Sequence, residues 1–234
     1  MKKSLVLVST GLGLVGSLHA AEITGKITLT GTPPPQKEIT AATADANCGK
    51  LRTEPALTRT YVVSKDGGLA NVVVYLKSGL SGKTFTAPEE PILIDQKGCM
   101  YEPYVSAAMV GQKINIRNSD SLMHNVNAGT PKNNKGFNFS QVTAGQVNPR
   151  TFDNPELGIK LICNVHSWMV SYVSILDNPF FAVSDKDGNF VIKGDLPDGK
   201  YTFEAFHQKA GATSQEIEVK GGKATGNFTL EVKQ

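Results

Sequence analysis

Residues 163–169 read CNVHSWM, and this stretch decides how the middle of the chain folds. A thiol, an imidazole and a thioether recur at every third position, so a helix would place Cys163, His166 and Met169 on one face. The flanking segments GIKLI and VSYVSIL are rich in β-branched residues, and a helix between them would be very short. We therefore predict a loop that joins two strands and turns all three side chains toward one point.

The rest of the chain has the pattern of an all-β protein. Short runs rich in Val, Ile, Thr, Tyr and Phe recur between clusters of Gly, Pro, Asn and Asp, which predicts β-sandwich architecture. The Asp-Gly pairs in DKDGN (185–189) and PDGK (197–200) are typical of tight hairpins, because they supply positive φ. The predicted strands are EITGKITLTG, RTYVVS, NVVVYLK, QKINIRN, KLIC, VSYVSIL, NFVIKG, KYTFEAF, QEIEVK and NFTLEV.

The N-terminus has the layout of a secretory signal peptide. Two lysines precede an apolar run that is too short to span a membrane, and small residues follow at Ala20 and Ala21. We expect residues 1–20 to be removed, leaving a periplasmic or secreted protein without a transmembrane segment. Loss of Lys2 and Lys3 takes the formal net charge from +3 to +1. With no Lys/Arg run in the mature chain, nucleic acid is not an expected partner.

The three cysteines are an odd number for an exported protein, so one thiol stays unpaired or pairs with another chain. Cys48 and Cys99 lie in polar, glycine-bearing surroundings that are typical of bridged loops. We expect them to form a disulfide bond, which leaves Cys163 as the free thiol.

The mature chain has only three histidines, at 124, 166 and 207. His124 stands in the polar turn IRNSDSLMHNVNAG, directly after a predicted strand, and is the natural partner for the loop donors. Two imidazoles, a thiolate and a thioether are the donors of a blue-copper site, which suits one-electron transfer. His207 has no partner motif, and we expect it to be an ordinary residue at a strand end.

Two separated motifs make residues 59–177 resemble a cupredoxin of the plastocyanin and amicyanin kind. YEPYVSAAMVGQKINIRNSDSLMHNV follows the family's order of an aromatic-Pro start, a Gly turn, a strand ending in Asn and a loop ending in His-Asn. CNVHSWM has the Cys-x₂-His-x₂-Met spacing of amicyanins. The resemblance implies a Greek-key β-sandwich that holds one type 1 copper ion. It implies His124, Cys163 and His166 as equatorial ligands and Met169 as the axial ligand.

The same resemblance assigns roles around the ligands. Asn125 would tie the two ligand loops together by hydrogen bonds, and His166 would face solvent as the electron port. Amicyanin-like loops carry prolines beside this histidine, whereas here Val165 and Ser167 flank it. For Met123 and Trp168, which adjoin ligands, we expect core packing.

The tail SDKDGNFVIKGDLPDGKYTFEAFH resembles the carboxypeptidase regulatory-like or transthyretin-like β-sandwich modules. We therefore divide the chain into a signal peptide (1–20), an N-terminal β segment (21–58), a cupredoxin-like copper domain (59–177) and a carboxypeptidase regulatory-like β module (178–234). The N-terminal segment could belong with the tail or cap the central domain.

These features predict an exported one-electron carrier with one copper ion and a cytochrome or dehydrogenase as redox partner. The alternatives are copper storage, delivery or sensing, and a structural β-sandwich that has lost its metal. We do not expect an enzyme, because catalytic copper sites need further histidine ligands and only His207 is left over.

Overall fold

A computed structural model describes residues 20–233 of the chain. The predicted signal peptide, residues 1–20, lies outside the described residues except for Ala20. Within residues 20–233 there is one α-helix, Thr40–Ala44 (α1), and one 3-10 helix, Cys48–Leu51. Neither helix has the length and apolar character needed to cross a membrane.

Almost all other regular structure in the described residues is β, which confirms the predicted all-β class. The first nine strands are β1 (Ala21–Thr30), β2 (Val73–Ser78), β3 (Ile92–Gln96), β4 (Tyr101–Glu102), β5 (Val105–Met109), β6 (Ile114–Asn118), β7 (His124–Asn127), β8 (Asn138–Gln141) and β9 (Val147–Arg150). The remaining strands are β10 (Glu156–Ile162), β11 (Val170–Leu176), β12 (Phe181–Val183), β13 (Asn189–Gly194), β14 (Gly199–His207), β15 (Gly211–Val219), β16 (Lys223–Thr225) and β17 (Phe228–Glu231).

The strands form four sheets. Sheet 1 has the order β13-β1-β16, and β17 pairs with the second half of β1. Sheet 2 has the order β12-β2-β14-β15, sheet 3 the order β5-β11-β10-β7-β8, and sheet 4 the order β4-β3-β6-β9.

Two hydrophobic cores show how the sheets pack. The tail core lies between sheets 1 and 2 and includes Ile23, Ile27 and Phe203. The site core lies between sheets 3 and 4 and includes Tyr101 and Ile116. The protein therefore contains two β-sandwiches, each built around its own core.

A third cluster joins the two sandwiches. On β2, Val74 and Leu76 belong to the tail core, whereas Val73 and Tyr75 pack against β5 and β11 of sheet 3. Both faces of β2 are thus covered, which explains why the sequence NVVVYL is a continuous apolar run instead of an alternating one.

The pairing of strands does not follow the order of the predicted segments. β1, from the N-terminal segment, pairs with β13, β16 and β17 of the tail. A later residue of the same segment, Cys48, packs in the site core instead. β2 lies within residues 59–177 but pairs with β12 and β14 of the tail. The N-terminal segment therefore contributes to both sandwiches, and neither of the two alternatives describes it fully.

Two local predictions were wrong. DKDGN closes as a turn, with the Asp185 N–H donating to the Asn189 carbonyl at 2.9 Å and Gly188 at φ 82°. The strands on either side of this turn lie in different sheets, β12 in sheet 2 and β13 in sheet 1. The same holds around PDGK, where β13 lies in sheet 1 and β14 in sheet 2, so neither Asp-Gly pair connects two paired strands. RTYVVS (59–64) forms no strand, because beyond one isolated bridge at Val63 it has no ladder partner in the described chain.

His207 ends β14, as expected, and its side chain is buried in the protein. The side chain is 1 % exposed and stacks on Tyr61 with ring centroids 5.3 Å apart. Its Nδ1 accepts the Ala210 N–H at 3.1 Å, and Nε2 has no partner within residues 20–233. Burial lowers the pKa of His207 from 6.5 to about 4.

We expect this buried imidazole to make the fold acid-sensitive. Between pH 6.5 and about 4 the unfolded chain binds a proton at His207 that the folded chain does not, so stability falls as pH falls through this window. The loss is on the order of 3 kcal/mol at its lower end. Urea unfolding of the metal-free protein at several pH values measures it. His207→Gln removes this titration, so parallel pH profiles for variant and wild type would contradict the prediction.

Candidate metal centre

The CNVHSWM stretch forms the predicted loop between β10 and β11. The Cys163 N–H donates to the Met169 carbonyl at 3.2 Å, and the Met169 N–H donates to the His166 carbonyl at 2.9 Å. These two bonds hold the loop in a tight turn, and Cys163, His166 and Met169 are all buried.

His124 reaches the same place from the neighbouring strand. It is the first residue of β7, which pairs with β10 where Asn127 lies opposite Ile162. The Nδ1 atoms of His124 and His166 are 3.1 Å apart, and Nδ1 of His166 is 3.8 Å from Sγ of Cys163. One donor atom from each of the three residues lies within 4.8 Å of the others.

These distances fit a shared metal ion. Donor atoms that bind one metal at about 2.0 Å for nitrogen and about 2.3 Å for sulfur lie roughly 3 to 4 Å apart. The separations of 3.1 and 3.8 Å fall within that range. The donor set, two imidazoles and one thiol, is suited to copper.

The surroundings of Cys163 favour the thiolate, the form that binds metals. Its Sγ accepts the backbone N–H of Asn125 at 3.3 Å and of His166 at 3.4 Å. Burial acts to raise the pKa of the thiol, but hydrogen bonds from His124 and from these N–H groups hold it below its ordinary value.

The two imidazoles have different environments. Burial alone would lower the pKa of His124, but its hydrogen bond to Asp120 and the adjacent thiol raise it to about 9. For His166, burial and the nearby His124 lower the pKa. The two rings share one pocket, and within residues 20–233 a carboxylate is hydrogen-bonded to His124 but none is hydrogen-bonded to His166.

Asn125 links the two ligand segments. Its Oδ1 accepts the N–H of Asn164 in the ligand loop at 3.2 Å, and its Nδ2 donates to the Phe139 carbonyl at 3.0 Å. Its backbone N–H also reaches Cys163, so one residue contacts both the loop and the thiol.

The disulfide bond between Cys48 and Cys99 is present, and it lies beside the site. Its sulfur atoms are within 4.8 Å of a ring nitrogen of His166. His166 is only 8 % exposed, so the expectation that it faces solvent was wrong. The sulfurs of the bridge and the indole of Trp168, with its ring centroid 5.3 Å from that of His166, both lie beside this ring, and sequence position alone does not place the bridge there.

Three further side chains have defined positions. Met169 is fully buried in the site core, and its role as axial ligand stays a prediction. Trp168 packs at the edge of that core and donates its Nε1–H to the Cys99 carbonyl at 3.1 Å. Met123 is 47 % exposed, so the expectation that it packs in the core was wrong. As the residue before His124, it points away when that ring points inward.

Sequence reasoning missed Asp120, and it predicted the Cys48–Cys99 bridge without placing it beside the site. Asp120 accepts a hydrogen bond from Nε2 of His124 at 2.9 Å. The available signal was an aspartate four residues before a predicted histidine ligand in one polar turn.

No protein-family model and no curated protein matches this sequence. Solved structures match part of it. An amicyanin from Paracoccus versutus is 16 % identical over 44 % of this chain and 97 % of its own, with a TM-score of 0.33. A purple cupredoxin from Nitrosopumilus maritimus is 24 % identical over 37 % of this chain and 98 % of its own, with a TM-score of 0.31.

A copper-containing nitrite reductase from Thermus scotoductus SA-01 is 18 % identical over 43 % of this chain, with a TM-score of 0.36. The present chain spans 25 % of that reductase's length. These similarities are low and partial.

Proposed function

We propose that this protein is an exported type 1 copper protein that carries single electrons between redox partners. The observation that carries the proposal is one buried pocket in which the thiol of Cys163 lies 3.8 Å from the Nδ1 of His166, which in turn lies 3.1 Å from the Nδ1 of His124. His124, Cys163 and His166 would hold the ion, and Met169 would supply a further, thioether ligand.

Copper bound here would supply one-electron exchange between Cu(I) and Cu(II). The chain's own contribution is to hold the donors still. Asn125 restrains the loop, the backbone N–H groups restrain the thiolate, and the buried position keeps water away. Such a site changes little between oxidation states, which favours electron transfer over bond chemistry.

Copper storage, delivery or sensing is the alternative. The burial of His166 favours it, because a ligand at the surface is the simplest route for an electron to a partner. The rigid contacts of Asn125 and Cys163 favour the carrier, since a site that releases its metal gains from mobile ligands. We therefore retain electron transfer as the main proposal and do not propose that the chain is an enzyme by itself.

Export and a protein redox partner belong to the same proposal. The Cys48–Cys99 disulfide is suited to an oxidising compartment, which supports the periplasm or the exterior. The exposed Met123 and Val165 adjoin ligands and offer apolar contact area to a cytochrome or dehydrogenase.

Copper titration with voltammetry tests the proposal. We expect the metal-free protein to take up one equivalent of Cu(II), to develop intense visible absorption and to show a reversible one-electron couple. His124→Ala and His166→Ala should lose the absorption, whereas His207→Ala, which changes a histidine outside the site, should retain it. Stoichiometric copper without a reversible couple would favour copper handling, and a wild type that binds no copper would leave only the structural β-sandwich.

A further inference from the structure

Asp120 is a buried carboxylate for which the proposed copper site has no assigned role. It lies in the loop between β6 and β7 and is 5 % exposed. Its Oδ2 is 2.9 Å from Nε2 of His124, the ring nitrogen that does not face His166. The carboxylate therefore contacts a proposed ligand without being one itself.

The bond to Asp120 determines which nitrogen of His124 is available to a metal. An ionised carboxylate only accepts hydrogen bonds, so Nε2 must carry a hydrogen to make this contact. Nδ1 is then the nitrogen left to bind a metal, and it is the one that faces His166. A carboxylate behind a histidine ligand also orients the ring and makes it a stronger donor.

Asp120 is itself held in place by the disulfide-bridged loop. The Gly98 N–H donates to its Oδ1 at 2.7 Å, and the Cys99 N–H donates to its Oδ2 at 2.8 Å. Gly98 and Cys99 have φ values of 59° and 53°, so both adopt the left-handed backbone conformation. In this arrangement both N–H groups point at one carboxylate. This conformation is strained for Cys99 because it is not glycine, and the disulfide bond to Cys48 restrains the residue.

We propose that Asp120 is a positioning residue for His124, held by the Cys48–Cys99 loop, and that its charge stabilises Cu(II) relative to Cu(I) at the site. This inference rests on the proposed copper function. It predicts two separable effects, since the hydrogen bond orients the ring and the negative charge favours the more highly charged ion.

Two substitutions separate these effects. Asp120→Asn removes the charge, and an amide oxygen at the Oδ2 position can still accept from His124 and Cys99. The amide NH₂ group at the Oδ1 position no longer accepts the Gly98 N–H, so this variant loses one loop contact but keeps the acceptor for His124. Asp120→Ala removes both the charge and the acceptor. Asp95→Asn is the matched control, because Asp95 is also a buried carboxylate, with Arg117 and Ser119 as its side-chain partners.

The first measurement is the reduction potential of the copper-loaded proteins. We expect Asp120→Asn to keep the visible spectrum and to raise the potential by at least about 59 mV, which is a tenfold change in the preference for Cu(II) in a one-electron couple. Asp95→Asn should shift the potential much less. Equal shifts in the two variants would overturn the role of the charge.

The second measurement needs no copper. Nuclear magnetic resonance of the metal-free protein follows solvent exchange of the His124 Nε2 hydrogen, which should be slow in the wild type and in Asp120→Asn and at least tenfold faster in Asp120→Ala. Unchanged exchange in Asp120→Ala would overturn the positioning role. If the wild type bound no copper, the proposed function would fail, while this measurement would still decide whether Asp120 orients His124.

Discussion

Replacing Cys163 with serine will abolish the intense visible absorption of the copper-loaded protein. The absorption of a blue-copper site depends on the bond between Cu(II) and a thiolate, and a serine hydroxyl stays protonated and cannot replace it. Among the proposed ligands, Cys163 also contacts both ligand segments, because its Sγ accepts hydrogen bonds from the N–H groups of Asn125 and His166. Copper affinity should therefore fall by more than the roughly 10- to 100-fold that loss of an outer contact costs.

Visible spectroscopy and competition with a copper chelator measure the two effects. Ser167→Ala is the matched control, because Ser167 lies in the same loop and is exposed. It should leave colour and affinity close to those of the wild type. If Cys163→Ser kept the full absorption, a metal site built on this thiol would be ruled out.

Removing the disulfide should have the largest effect on stability. The bond joins residues 51 apart in sequence, and closing a loop of that length stabilises the folded state by about 4 kcal/mol in the chain-entropy model. Both sulfurs are buried in the site core, so Cys48→Ala with Cys99→Ala also loses packing there. Denaturant unfolding of the metal-free double variant should show a loss of at least this size.

The matched control for this variant is Cys163→Ser, which removes a buried sulfur and leaves the bridge intact. It should unfold close to the wild type in the absence of copper. A double variant that lost less than about 1 kcal/mol would show that the unfolded chain is already compact around this loop. The double variant should also expose His166, since the sulfurs lie beside its ring.

The local part of the site could be predicted because its signals are close in sequence. Cys163, His166 and Met169 fall within seven residues, and β-rich flanks are enough to exclude a helix. His124 and the Cys48–Cys99 pair followed from counting, because few histidines and cysteines exist to choose from. The strand pattern similarly determined the all-β class, since side-chain alternation and turn residues act over a few positions.

Other features could not be predicted because they depend on which strands meet. The two Asp-Gly turns have the local chemistry of hairpins, but the flanking strands find partners in different sheets. The partner of β1 also depends on residues distant in sequence, since Ile27 pairs with Phe228 near the other end of the chain. No local preference specifies such a pairing.

The sequence by itself determined the β architecture, the ligand loop and the small set of residues able to bind a metal. Only the tertiary structure decided that the bridged loop covers His166 and that its N–H groups hold Asp120 against His124. The physical reason is that hydrogen bonds and packing act over a few ångströms in space, whatever the separation along the chain. Residues 98, 120 and 166 become neighbours only after both faces of the site core have closed.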